Sequence, residues 1–478
     1  MALPLGVQQA ANSFPTADAA ASKPNIVFVL TDDMSSNLLP YVPEVQKMQA
    51  QGMTFNNHEV SNSLCCPSRS SIFTGQFPHN TGVLTNEAPD GGFGKFHANG
   101  DEKHTFATAL HAKGYRTAMM GKYLNGYKPT DRIDGKKPYV PPGWSQWNVV
   151  GPGYEGYHYK ISDNHRIESH GGKDKDYLNT VLTKKGKAFI KKSANAGKPF
   201  LLELAPFTPH SPSTPAPQDE NALPGLKAPR SPAFNKMPAN APSWLAKRDR
   251  LGQSQLDKID RKFRKRAQSM LAINRMLAAM RTQLTKSGVA NRTYVVFTSD
   301  NGFHLGEYQL QAGKQTAFDT DIKVPLVVTG PGVAAGSRTD AATSNIDFAP
   351  TFERMAGATV PSRVDGHSML PLLADGKASG WRQANMIEHR HVDPSPTDPD
   401  SQQPVEGNPP SYHAMRTRQF LYVEYAGGAK EYYDLSTDPN ELDNIVGRLA
   451  TTRLKQLHKQ LTRLENCHGD GCWKAGHL

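Results

Sequence analysis

Two short runs of the chain are apolar at nearly every position and end in acidic or amide side chains. Asn25-Ile26-Val27-Phe28-Val29-Leu30-Thr31 leads into Asp32-Asp33, and Thr293-Tyr294-Val295-Val296-Phe297-Thr298-Ser299 leads into Asp300-Asn301-Gly302. Near-continuous β-branched runs of this kind predict strands buried on both faces of a parallel sheet. Strand-like runs at Phe200 to Ala205 and Val324 to Thr329, separated by helical stretches, extend the same pattern. Beyond them, Arg418 to Tyr425 and Glu431 to Leu435 read as paired strands around a Gly427-Gly428 turn, followed by a helix over about Ala450 to Leu464. The expected fold is α/β: a large mixed, mostly parallel sheet sandwiched by helices, with a smaller C-terminal α+β domain carrying an antiparallel sheet. Residues 1–23 are expected to be a flexible N-terminal segment, 24–375 the large domain and 376–478 the smaller one. Two segments are proline-rich: Ala205 to Leu245 reads as a long binding loop, and Asp393 to Pro410 as a mobile insertion.

In open α/β sheets, ligands sit beyond the carboxyl ends of the strands, so the two acidic pairs are expected to share one crevice. Asp32, Asp33, Asp300 and Asn301 together offer a hard oxygen cage, which favours calcium or magnesium over zinc. The same residue types also cap helices and make turns, but here one layout occurs twice. A third segment, Cys65-Cys66-Pro67-Ser68-Arg69, places a nucleophile, a helix-starting proline and an anion-binding arginine within one turn. Helix starts expose unpaired N–H groups that suit an oxyanion. The plainer alternative is a pair of buried cysteines near a turn.

These segments, in order, resemble the type I sulfatases of the alkaline phosphatase-like superfamily. The resemblance rests on NIVFVLTDDM, LCCPSRSSIFTGQFPHNTGV, MGKYLNGY, APFTPHSP, FTSDNGFHLGEYQLQAGKQTAFDTDIKVPLVVTGPGV and EYYDLSTDPNELDNIV, spanning about residues 24 to 465. GKYLNGY followed by YVPPGW resembles most the glucosamine-6-sulfatase and heparan-type endosulfatase branch, which acts on glycosaminoglycan-type sugars. The resemblance implies a calcium ion held by Asp32, Asp33, Asp300, Asn301 and the modified Cys65. It implies that Cys65 is oxidised to formylglycine by a formylglycine-generating enzyme, one hydroxyl of the hydrate attacking sulfur and the other later expelling sulfate. Arg69 would orient the hydrate, Lys122 and Lys314 would bind sulfate oxygens, and His210 would serve at the leaving-group oxygen. Many sulfatases carry a histidine two residues after the lysine matched by Lys122. Here that position is Leu124, followed by Asn125, leaving the general base open with His304 as a substitute candidate; Asn125 and His304 join the expected substrate-binding residues.

With 55 Lys and Arg against 44 Asp and Glu, the net charge of +11 suits a polyanionic partner. The densest basic stretch, Lys247 to Lys265, reads either as a solvated helix face or as a rim that attracts a sulfated polymer. Nothing resembles a nucleic-acid recognition motif. Trp144 and Trp147 either stack on a sugar or pack beneath a loop. Cys467 and Cys472 flank two glycines, which suggests a local disulfide, with a metal site including His468 as the alternative. A disulfide implies a secreted or periplasmic location, although Met1 to Ser22 does not read as a signal peptide and no segment is apolar enough to span a membrane. The function expected is hydrolysis of a sulfate ester, on a sugar such as N-acetylglucosamine-6-sulfate. The alternatives are a phosphonate or phosphate ester hydrolase on the same fold, or a non-catalytic binder of sulfated glycans.

Overall fold

The computed structural model describes residues 23–133, 135, 137–377 and 380–478, so the expectations for the segment before residue 23 lie outside the described residues. Fourteen strands carry the architecture, numbered here in chain order. Ten form the main sheet: β1 (Asn25–Thr31), β2 (Met53–Phe55), β3 (Arg116–Lys122), β4 (Gln146–Val150), β5 (Lys160–Asp163), β6 (Arg166–Ser169), β7 (Phe200–Ala205), β8 (Thr293–Ser299), β9 (Leu326–Thr329) and β10 (Ser337–Thr339). Their spatial order is β10-β2-β9-β8-β1-β7-β3-β4-β5-β6. The centre from β8 to β4 is parallel, and antiparallel pairs occur only toward the two edges. The fold is therefore the expected mixed, mostly parallel sheet.

Burial on both faces explains the apolar runs. Val27 and Val29 of β1 face a layer containing α4 (Leu178–Asn195) and α5 (Gln253–Lys286), two helices that follow α1 (Pro43–Gln51), α2 (Cys65–Thr74) and α3 (Phe106–Ala112) in the chain. Ile26, Phe28 and Leu30 face the opposite layer, built from α2, α3 and α6 (Phe348–Met355). There, Phe28 packs its ring against Phe348 and Phe352 at centroid distances of 5.1 and 5.2 Å.

Four further strands, β11 (Ala384–His389), β12 (Tyr412–Thr417), β13 (Phe420–Tyr425) and β14 (Lys430–Asp434), form an antiparallel sheet in sequential order. One face of this sheet shares a core with Val60, Leu310, Phe318 and Ile322 from the large sheet's loops. The other is covered by α7 (Thr451–Glu465), whose Leu457, Leu461 and Leu464 recur at helical spacing. Cys467 and Cys472 form a disulfide just after α7. No helix among the described residues is long and apolar enough to cross a membrane.

One open reading is decided and one expectation changes. Trp147 is a fully buried residue of β4 and donates Nε1–H to Tyr127 Oη at 2.9 Å, and Trp144 packs on it at 5.9 Å, so both serve the core. The 393–410 segment is not a free insertion: it folds against the carboxyl ends of the strands and buries Asp400. Its prolines suit a segment tied down by side-chain hydrogen bonds as well as one that is mobile.

The two layers generate two predictions. Glu203, paired in register with Phe28 and Met119, is fully buried, and neither carboxyl oxygen has a hydrogen-bond partner among the described residues. Burial pushes its pKa up to about 8 from 4.5, with Arg69 opposing the shift. The folded state therefore binds the extra proton, and stability falls as pH rises through the window between those values, by about 1.4 kcal/mol per pH unit. Calorimetric melting should show Glu203→Gln matching the parent at pH 5 and exceeding it at pH 8. The second prediction concerns Arg382, whose Nη1 donates to Asp347 Oδ1 at 2.8 Å in a fully buried pair that ties the start of β11 to the start of α6. Arg382→Met leaves the carboxylate buried without its cation and should cost about 3–5 kcal/mol in chemical denaturation.

Candidate active site

The carboxyl ends of β1 and β8 are hydrogen-bonded neighbours, paired from Asn25 with Thr293 to Thr31 with Ser299, so their acidic ends meet. Consecutive strand residues point to opposite faces, yet Asp32 and Asp33 both enter the same site. The reason is local: Asp33 adopts a left-handed conformation at φ 65°, one that aspartate tolerates better than most side chains. Its N–H donates to Asp300 Oδ1 at 3.1 Å, and its carbonyl accepts from the buried Arg266 guanidinium of α5. Asp32, Asp33, Asp300 and Cys65 each bring a ligand atom within 4.8 Å of the others. Asn301 Nδ2 donates to Asp33 Oδ1 at 2.7 Å, and its buried Oδ1 has no hydrogen-bond partner among the described residues.

Cys65 opens α2. The helix begins two residues before the expected start at Pro67, which its first turn tolerates because no carbonyl requires the N–H that proline lacks there. Ser68 N–H makes the first helical bond, to Leu64 O at 3.1 Å, and the helix ends at Gly75 with φ 72°. Arg69, one turn on, is wholly buried; its Nε donates to Asp300 Oδ2 at 2.8 Å and its Nη1 to the Lys122 carbonyl at 3.0 Å. Cys66 faces the core, and its N–H donates to Asn86 Oδ1 at 2.9 Å.

Two buried lysines flank Cys65. Lys122, at the end of β3, donates to Asp32 Oδ2 at 2.8 Å, and its Nζ lies 5.1 Å from the centre of the Tyr154 ring. Lys314 donates to Asp33 Oδ1 at 2.6 Å and to Cys65 Sγ at 3.0 Å. His210 stands within the same cluster as Asp33 and Cys65. Asp400, unsuspected from the sequence, completes it: Oδ1 accepts from Lys314 Nζ at 2.7 Å and lies 2.5 Å from His210 Nε2. Oδ2 accepts from Asn125 Nδ2 at 3.0 Å and Asn86 Nδ2 at 2.9 Å.

His304 is placed otherwise than expected. Its Nδ1 bonds Asp321 at 2.9 Å and its Nε2 the Glu406 carbonyl at 2.8 Å, so neither ring nitrogen is left for a substrate or a proton.

The electrostatics follow from burial and pairing. Burial works against the charged forms of Lys122 and Lys314, yet Asp32 beside the first and Asp33 and Asp400 beside the second hold both ammonium pKa values well above the usual range. Burial also opposes the charge on Asp400, but Lys314, His210 and Lys122 outweigh it and keep the carboxylate ionised. Burial lowers the His210 pKa while Asp400 and Asp33 raise it, and the net direction is upward. Burial together with Asp32 pushes the Asp300 carboxyl up to about 7, although Arg69 and Lys122 oppose it. Burial, Asp32 and Asp400 raise the Cys65 thiol well above its ordinary value. A thiolate is therefore suppressed where a cysteine nucleophile would need one.

Beside Lys122 opens a cavity of about 480 Å³, lined by Asn86, Phe93, Asn125, Tyr127, Tyr154 and Phe207 among others. The profile described as sulfatase matches residues 24–358, and that described as the C-terminal region of N-sulphoglucosamine sulphohydrolase matches residues 306–467. Human N-acetylglucosamine-6-sulfatase is 33% identical over 486 residues, covering 96% of this chain and 87% of that protein. The arylsulfatase of Volvox carteri is 28% identical over 519 residues, covering 97% of this chain and 78% of its own. Among solved structures, a protein in complex with its substrate D-glucosamine-2-N,6-O-disulfate aligns with a TM-score of 0.78 at 22% identity, over 93% of this chain and 98% of that one. The phosphonate monoester hydrolase of Silicibacter pomeroyi aligns with a TM-score of 0.72 at 20% identity, over 93% and 96%. The chain belongs to the sulfatase family, and is a sulfuric ester hydrolase.

Proposed function

We propose that the protein removes a sulfate group from a sugar, of the N-acetylglucosamine-6-sulfate kind, using residue 65 as a formylglycine and a calcium ion. The observation that carries this reading is the buried cationic seat of Lys122, Lys314 and His210, set against Cys65 and the Asp32, Asp33, Asp300 cage. Relatives named for N-acetylglucosamine-6-sulfate support the sugar, and the 480 Å³ cavity with its Tyr154, Phe207 and Phe93 rings offers apolar surface for a pyranose beside the seat.

The donor set fits a hard divalent cation. Three buried carboxylates and the Asn301 Oδ1, which has no hydrogen-bond partner among the described residues, are all oxygen ligands. Asp32, Asp33, Asp300, Asn301 and residue 65 would hold calcium, which would supply Lewis-acid polarisation at the reacting oxygen. The thiol's suppressed ionisation argues against direct attack by cysteine, and the hydrated aldehyde would supply a hydroxyl in its place. Arg69, fixed by Asp300 and the Lys122 carbonyl, holds the helix start that carries residue 65. Lys122 and Lys314 would bind sulfate oxygens and offset charge that grows in the transition state. His210, whose pKa Asp400 and Asp33 raise against burial, would donate a proton to the leaving alkoxide. The disulfide supports action outside the cytosol, after maturation by a formylglycine-generating enzyme.

Mass analysis of the peptide carrying residue 65, from protein made in its native host, should show an aldehyde that an aldehyde-reactive probe captures. Cys65→Ala should abolish turnover of an aryl sulfate with an unchanged circular dichroism spectrum, and retained turnover would sink the mechanism. A matched aryl phosphate or phosphonate turned over faster than the sulfate would transfer the assignment to phosphoryl chemistry. Removing the cation with a chelator should lower the melting temperature, with calcium restoring it in a concentration-dependent manner; an unmoved melting curve would reject the cage as a cation site.

A further inference from the structure

The cationic seat is filled here by a carboxylate of the chain itself. Asp400 is wholly buried and its two oxygens take Lys314, His210, Asn125 and Asn86, the donors that would surround a bound oxyanion. Its oxygen lies within 4.8 Å of the ligand atoms of Cys65, Asp33 and His210. One seat of this size does not hold two anions, because the second would meet the first at contact distance in a site closed to water.

The segment that delivers Asp400 joins β11 to β12 and contains no regular structure beyond one turn at Pro404–Glu406. From 393 to 407 it buries only Asp400, Gln402 and Gly407, and its one large apolar side chain, Val405, is 42% exposed. Its attachments are polar. Asp398 Oδ1 accepts from Asn86 Nδ2 at 3.2 Å, Thr397 Oγ1 donates to Glu87 Oε1 at 2.9 Å, and Gln402 Oε1 accepts from Lys314 N–H at 3.1 Å. A segment held without apolar burial opens at a small cost compared with global unfolding. Thr397, Asp398 and Pro399 also wall the cavity beside Lys122, so opening would widen the entrance to the seat.

We propose that residues 393–407 form a strap whose Asp400 carboxylate sits in the sulfate seat as a tethered competitor, and that an entering sulfate ester displaces Asp400 and swings the strap away. This rests on the reading of the seat as a sulfate site. Binding is weakened by the fraction of molecules in which the strap is open, and a tethered anion acts at an effective concentration of about millimolar.

The test is calorimetric titration of sulfamate ion, a monoanion like a sulfate ester, and of inorganic sulfate into the mature, calcium-loaded protein and its Asp400→Asn and Asp400→Ala variants, with hydrogen exchange of the 393–410 peptide. Removing the competitor should tighten sulfate binding about tenfold or more in Asp400→Ala, by relief of that occupancy. In the parent protein, saturating sulfate should raise exchange across the strap. Equal affinities in all three proteins would overturn the strap while leaving the seat, and weaker binding in Asp400→Ala would make Asp400 a member of the seat. Absence of binding of both anions in every protein would overturn the seat itself, and the strap with it. Should the variants fold poorly, the parent's exchange decides: a strap equally protected with and without sulfate rejects displacement.

Discussion

Everything at the carboxyl ends of β1 and β8 depends on balancing charge out of contact with water. Asp32, Asp33, Asp300 and Asp400 lie buried among Lys122, Lys314, Arg69 and Arg266. An ion removed from water without a partner costs several kcal/mol, so each carboxylate must arrive with a cation. That requirement explains why distant parts of the chain converge: Lys122 comes from β3, Arg69 from α2, Arg266 from α5, and Lys314 from the loop after β8. The sheet sets their distances. Parallel pairing of β7 with both β1 and β3 brings the ends of those strands to one edge, and α2 packs Ile72 and Phe73 into the layer beneath. Apolar burial thus positions the charges, and the charges then pin the loops.

Much of this was legible because buried parallel strands leave a strong mark. The runs at 25–31 and 293–299 are apolar on both faces, and the sequence alone marks their acidic endings as convergent. Cys65, Arg69, Lys122 and Lys314 were assigned through family motifs, and the structure gathers them around one cage. Asp400 was not legible. It stands in a proline-rich stretch whose composition is that of a mobile loop, and its burial arises from side-chain hydrogen bonds to residues far away in sequence, which leave no periodic pattern. The same blindness affected His304. Its position after Asp300-Asn301 suggested the site, but its partners Asp321 and the Glu406 carbonyl turn it into a cross-link. For Trp147 the sequence leaves sugar stacking and packing both open, and the structure decides for packing: the residue that follows the Pro-Pro loop lies inside a buried strand.

The pKa directions tie these placements to the chemistry. A buried, acid-rich pocket raises a thiol's pKa, so the surroundings of Cys65 oppose the thiolate on which cysteine hydrolases depend. The same pocket keeps Lys122 and Lys314 in their cationic forms and raises the His210 pKa through Asp400 and Asp33 against the effect of burial. A site with a silent thiol and two secured ammonium groups is suited to receive an anion, and it is suited to a nucleophile that needs no ionised sulfur.

Charge balance also bears on which anion the seat favours. A carboxylate and a sulfate monoester each carry one negative charge, whereas a phosphate monoester near neutral pH carries close to two. Exchanging Asp400 for a sulfate ester therefore leaves the net charge of the buried cluster unchanged. Exchanging it for a phosphate monoester adds a charge beside the buried carboxylates of Asp32, Asp33 and Asp300. Burying that extra charge is unfavourable unless a proton or another cation accompanies it. On this argument the strap does more than occupy the seat: a resident monoanion lets the surrounding cations be set for one negative charge even before substrate arrives.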